Sequence, residues 1–178
     1  LLPEIIAYQA APKYQVELHD FPIPLTKMYH PVPLDCKFVK PTDIAMYIDP
    51  AGGGSDEVGY GIATSMGPYV HVLDVGGIKG GLTEENGAKL VQIIRAVGVT
   101  RIKVESNMGH GLFEINLSAI LAKHDDLKHV GVVGEYSTGQ KERRIIDSLV
   151  GAMQRHRVII HRRVFQSDIE YGKQHSQE

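Results

Sequence analysis

Three consecutive stretches of this chain carry strand-like patterns, with links between them short enough to hold turns. Residues 43–49 (DIAMYID) place Ile44, Met46 and Ile48 on one side and Ala45, Tyr47 and Asp49 on the other, the two-residue period of a strand. Residues 58–66 (VGYGIATSM) follow a glycine-rich loop, and residues 69–75 (YVHVLDV) follow Gly67-Pro68. Strands joined by such turn-rich links read as an antiparallel meander.

The texture then changes to alternating helices and strands. Thr83 can cap a helix whose first turn carries Glu84 and Glu85, where carboxylates are favoured. Leu90, Val91, Ile94 and Val97 form its apolar face and Gly98 ends it. Strands are predicted at 101–106 (RIKVES), 130–136 (VGVVGEY) and 157–164 (RVIIHRRV), with helices at 111–124 and 140–156. The order βββ-α-β-α-β-α-β predicts an α/β fold: a mixed sheet, three antiparallel strands first, with helices on both faces.

Seven of the nine prolines fall within residues 1–41, so 1–40 reads as an irregular or extended connecting arm. Residues 165–178 form a polar tail. The 178 residues suit one domain with a real core, and no apolar run approaches the ~20 residues that span a bilayer. Cys36 is the only cysteine, which excludes an internal disulfide and points to a reducing compartment. The chain opens Leu1-Leu2 without a methionine and reads as part of something longer.

A net charge of −2 hides an uneven distribution. The window 141–163 holds seven Lys/Arg against Glu142 and Asp147, so it carries +5 while the remainder carries −7. A basic segment beside an acidic cluster suits a protein that holds a polyanion with one part and metal ions with another. A solvated basic face is the plainer alternative.

Asp49 closes the first of these strands and Glu105 the strand after the first helix. Functional groups of α/β sheets gather at the carboxyl ends of strands. If the two strands are parallel neighbours, the two carboxylates face each other and need a proton or cation to offset their repulsion. Oxygen-only ligands favour Mg²⁺ or Mn²⁺, and no Cys/His cluster competes. Gly52, Gly53 and Gly54 would let a backbone approach closely and turn N–H groups toward a phosphate. A plain hairpin loop is the alternative. No Gly-Lys-Ser/Thr follows these glycines, which disfavours a nucleotide-binding loop.

The segments DPAGGGSDE, VLDVGG, VESNMGHG and STGQKERRIIDSL together resemble the nuclease domain of large terminase subunits, the DNA-packaging motors of tailed phages, in particular the T7-like group. The resemblance runs from about residue 41 to 164 in the right order. It implies a ribonuclease H-like fold and cleavage of concatemeric double-stranded DNA by a two-metal mechanism, with two Mg²⁺ or Mn²⁺ ions about 4 Å apart. It further implies an ATPase domain preceding a linker at 1–40, the small terminase subunit and the portal as partners, no membrane, and action in the host cytoplasm.

Carried over by position, Asp49 and Glu105 are the catalytic, metal-binding acids, with Asp49 bridging the ions. The family usually adds a third acid from a His-Asp-Asp motif near its C-terminus. No such motif follows the last strand here; Lys123-His124-Asp125-Asp126 precedes the fifth strand and reads as a solvated helix end. Asp56 and Glu57, after the glycines, are candidate substitutes. Asp147 is a weaker one, because at about 100° per residue it lies roughly 130° from the centre of the face made by Ile145, Ile146, Leu149, Val150 and Met153. An i,i+4 pair with Arg143 accounts for it. Lys141, Arg143 and Arg144 are expected to hold DNA phosphates, and Asn107 and His110 to orient water or phosphate. Two other functions stay open: a junction-resolving or RNA-cleaving nuclease, or a DNA-holding or motor-docking module inactive without its third acid.

Overall fold

In the computed structural model, which describes residues 1–16, 27–34, 37–50, 57–106, 111–136 and 140–167 (backbone alone at 141, 142, 144 and 145), the proline-rich leader pairs with itself. Four two-residue strands, β1 (Leu2–Pro3), β2 (Ile6–Ala7), β3 (Val32–Pro33) and β4 (Phe38–Val39), form two antiparallel pairs, β1 with β4 and β2 with β3. Proline supplies no N–H to a ladder, which keeps such pairs short. Several described residues tie the leader to the rest of the molecule, among them Leu2, which packs against the core cluster. Ile6 is buried, the Tyr69 hydroxyl donates to the Ile6 carbonyl at 3.0 Å, and the Tyr8 ring stacks on His156 at 3.7 Å.

The meander follows as β5 (Ile44–Asp49), β6 (Glu57–Met66) and β7 (Tyr69–Lys79), antiparallel in sequence. Then come α1 (Glu84–Val97), β8 (Arg101–Glu105), α2 (Leu112–Ala122), β9 (Gly131–Glu135), α3 (Lys141–Gln154) and β10 (Val158–Ile160). These strands make one six-stranded sheet in the order β10-β7-β6-β5-β8-β9, with β8 parallel to β5, β9 parallel to β8 and β10 parallel to β7. The chain steps from β7 to β8 and on to β9 in one direction across the sheet, then returns from β9 to β10 in the other. Right-handed crossovers therefore place α3 on the face opposite α1 and α2.

One face of the sheet holds the core. Ile44, Met46 and Ile48 of β5 and Ile102 and Val104 of β8 are buried against Leu90, Val91 and Ile94 of α1 and Leu117 and Leu121 of α2. Helix α1 starts as its sequence predicts: the Thr83 hydroxyl accepts from the Asn86 N–H at 3.2 Å, and Gly98 closes it at φ 80°. The Asn86 amide then donates to the carbonyls of Lys79 and Gly81, at 3.0 and 2.9 Å, and fixes the turn that leads in. On α3 the apolar stripe exists but is poorly covered, with Ile146, Leu149, Val150 and Met153 all exposed. Among the described residues no helix is long and apolar enough to cross a membrane.

Two elements differ from the pattern in the sequence, for one reason. The third meander strand runs on to Lys79, four residues past its expected end at 75. A bulge where Ile62 pairs with Asp74 and Ala63 with Val72 leaves Leu73 as the extra residue. Core-facing positions thus switch from His71 and Leu73 to Ile78, and the simple alternation breaks. The last strand, expected over 157–164, pairs only as Val158–Ile160, and residues 162–167 are helical. Its partner ladder reaches the bulge there, and the Leu73 carbonyl is taken by the Arg163 guanidinium at 2.7 Å.

Candidate metal centre at the strand ends

The site is built by the register of two parallel strands. Ala45, Met46, Tyr47 and Ile48 of β5 stand beside Arg101, Ile102, Lys103 and Val104 of β8. The next step in that register brings Asp49 beside Glu105, on strands about 4.8 Å apart. Ile48 and Val104, one residue earlier on each strand, have no exposed surface and point into the core. Alternation then turns both carboxylates to the opposite face, where they are half-exposed. At the other end of the two strands Arg101 grips Asp43 through Nε and Nη2 at 2.7 and 3.0 Å, in the same register. That guanidinium holds the Asp43 carboxyl below the ordinary carboxylate range.

The neighbours on either side complete the surroundings. Gly59 of β6 is the partner of Asp49, and a Cβ there would sit 3.9 Å from the Asp49 Cβ. Glu135, the last residue of β9, is the partner of Glu105. Lys103 lies two residues before Glu105 on the same face, and its ammonium donates to both Glu135 oxygens at 3.1 and 3.2 Å. Below the strand ends the Ser106 hydroxyl bonds the Glu114 carboxylate of α2, and the Ser106 N–H donates to the Glu135 carbonyl at 3.0 Å. A side chain at Gly134 would press on the ends of both Ser106 and Glu114 and displace that pair.

Two hard carboxylates at the half-buried ends of neighbouring central strands fit Mg²⁺ or Mn²⁺, not a soft metal. Among the described residues, no group of three or more His, Cys, Asp and Glu converges to hold an ion. Gly52, Gly53, Gly54, Asp56, Asn107 and His110 lie outside the described residues, as do the side chains of Lys141 and Arg144. Glu57 opens β6, and its carboxylate lies against Gly77. Asp147 sits on exposed α3 with Arg143 3.9 Å away, an i,i+4 pair. Asp126 is held by Arg95 at 2.6 Å and Asp125 by Lys128 at 2.6 Å, both on the surface.

Sequence reasoning passed over Glu135 and its pairing with Lys103. The signal was present: Glu135 stands one residue before the end of a predicted strand as Glu105 does, and Lys103 shares the parity of Glu105.

The sequence matches the family described as "Terminase Bacteriophage T7, Ribonuclease H-like domain" over residues 48–158. It is 31% identical over 129 residues to the large terminase subunit of Enterobacteria phage T3, covering 72% of this chain and 21% of that protein. The fold is similar to the human cytomegalovirus terminase nuclease domain, with a TM-score of 0.50 at 10% identity over 68% of this chain and 66% of that one. The nuclease domain of the large terminase subunit of bacterial virus Sf6 gives a TM-score of 0.41 at 12% identity over 61% and 46% of the two chains. The family match begins at the end of β5 and closes as β10 begins, so it takes in both carboxylates and nearly all of the sheet's connections. The chain belongs to the ribonuclease H-like domain family of bacteriophage T7-type terminases.

Proposed function

We propose that this domain is a divalent-metal-dependent endonuclease that cuts concatemeric double-stranded viral DNA during packaging, with Asp49 and Glu105 as its metal-binding acids. The parallel register that sets these two residues beside each other, on the face away from the core, carries the reading. Ions bound there would activate the attacking water and stabilise charge on the departing 3′-oxygen. The protein's own part is to hold two carboxylates at the ends of two central strands, so that little reorganisation is needed when substrate arrives. The basic residues Lys141, Arg143 and Arg144 would bind backbone phosphates without reading sequence. Backbone N–H groups of Gly52, Gly53 and Gly54 would face the same strand, with Asn107 and His110 orienting water or phosphate. Residues 1–40 would connect to an ATPase domain of the same polypeptide, and the motor would meet the small subunit and the portal in the host cytoplasm.

The test is nicking of supercoiled plasmid in Mn²⁺ or Mg²⁺, with branched DNA and RNA–DNA hybrid as rival substrates. Asp49→Asn and Glu105→Gln are expected to abolish cleavage with unfolding curves close to the parent's. Cleavage retained by both variants overturns the reading. A strong preference for branched or hybrid substrates over duplex favours a resolving or RNA-cleaving enzyme instead.

A further inference from the structure

We infer that Lys103 is a positioning residue of this centre: held by Glu135, its ammonium is the resident cation on the β9 side and confines divalent-ion loading to Asp49 and Glu105. The inference rests on the metal-binding reading above and adds two residues to it. Asp49, Glu105 and Glu135 end three neighbouring strands in register, so their carboxylates form a row with Glu105 in the middle. The three do not converge on one point, but Glu105 has an acidic neighbour on each side, and each gap concentrates negative charge. Yet the Glu135 side is already served, because Lys103 reaches diagonally from β8 to β9 and meets both Glu135 oxygens. The Asp49 side lies across from it, beyond Glu105.

Stability does not account for the pair. Both side chains are about two-fifths exposed, at 39% and 43%, and ion pairs that open to solvent contribute little to folding. What the pair does set is the charge beside Glu105. With Lys103 in place, the Glu135 charge beside Glu105 is neutralised. Without Lys103, the Glu135 charge stands unneutralised beside any ion that Glu105 holds. Without Glu135, the ammonium is released on the same strand and face as Glu105, two residues away, and competes there with the metal. The two partners of one ion pair therefore act on metal affinity with opposite sign.

Calorimetric titration of Mn²⁺ into the 178-residue protein tests this directly. Removing a unit charge this close to a cation site predicts about tenfold tighter Mn²⁺ binding in Lys103→Met. Glu135→Gln is expected to bind about three- to tenfold more weakly, and the double variant to return to within about threefold of the parent. Loss of a merely structural pair would lower the melting temperature of both single variants in EDTA and would not move affinity in opposite directions. Asp49→Asn serves as the separate control on the metal reading. Mn²⁺ binding that survives Asp49→Asn unchanged overturns the metal reading and this inference with it. If Asp49→Asn loses binding while Lys103→Met and Glu135→Gln shift affinity less than twofold, or in the same direction, the role given to Lys103 fails alone.

Discussion

Replacing Gly76 with alanine asks whether the glycine pair in VLDVGG serves a neighbour's ring. Gly76 stands opposite Tyr60 in the β6–β7 ladder. A Cβ built there would lie 2.6 Å from the Tyr60 hydroxyl oxygen, 2.8 Å from Cζ and 2.9 Å from Cε1, closer than real contacts permit. The ring packs against the core cluster, and its burial, with Asp74 nearby, pushes the phenol pKa up. It can make room only by swinging outward or by pushing β6 away. Re-exposing about 100 Å² of ring would cost about 2.5 kcal/mol at 25 cal/mol per Å². Strain from overpacking instead runs to about 1–3 kcal/mol. Alanine also restricts the unfolded chain, which offsets roughly 0.5–1 kcal/mol. The net expectation is a loss of about 1–2 kcal/mol, or about 2–8 °C in melting temperature for a domain of this size. Urea unfolding of Gly76→Ala measures it, and the same substitution in a Tyr60→Ala background isolates the clash. There the ring is gone, and alanine should be neutral or stabilising by up to about 1 kcal/mol. An equal cost in both backgrounds would refute the argument, since the glycine would then be needed for its backbone alone.

His71 gives a pH dependence whose sign follows from its burial. It is 4% exposed, its Nε2 has no partner among the described residues, and desolvation lowers its pKa. The fold thus prefers the neutral ring. Its contribution is intact above the unfolded value near 6.5 and is lost as pH falls toward the folded value, by at most about 1.4 kcal/mol per pH unit. Urea midpoints between pH 8 and 5 should fall more steeply for the parent than for His71→Leu, and parallel curves would contradict this. On α3, reversing Arg143 and Arg144 to glutamate should weaken duplex binding and reduce the slope of log K against log salt by about 2. An unchanged slope removes that helix from the DNA interface.

The elements legible in the sequence are those whose pattern is local. Asp43 to Asp49 alternates because β5 is buried on one face only, and Thr83 and Gly98 bracket α1 because capping is settled within a few residues. The bulge at Leu73 was not legible. Alternation reports a face only while the ladder is regular, and one extra residue reversed the parity of the strand's second half. The end of β10 was lost for the same reason, since its partner's bulge stops the pairing and not its own residues. The leader's short pairs join positions far apart in sequence, such as Leu2 with Val39 and Ala7 with Val32, so no local period announces them. At the centre itself, Asp49 and Glu105 could be read as strand ends. Glu135 was passed over because its meaning lies in a cross-strand partner, Glu105, and in a lysine on the strand between it and β5.

Core and site are one constraint seen from two faces. Met46, Ile48, Ile102 and Val104 are essentially without exposure, and each alternates with a residue of the opposite face: Tyr47, Asp49, Lys103 or Glu105. A slip of β8 by one residue would drive Lys103 and Glu105 into the apolar layer beneath α1 and α2, and would bring Ile102 and Val104 to the surface. Burying a carboxylate or ammonium without a partner costs several kcal/mol even after its pKa shifts, a large part of a domain's whole margin of stability. The register is thus selected by the core, and the exposed Asp43–Arg101 pair at the far end adds little to it. It follows that substitutions in this core layer should disturb metal binding only to the extent that they unfold the sheet. The neighbouring strand ends cannot drift apart while the ladder between Ile48 and Val104 remains paired.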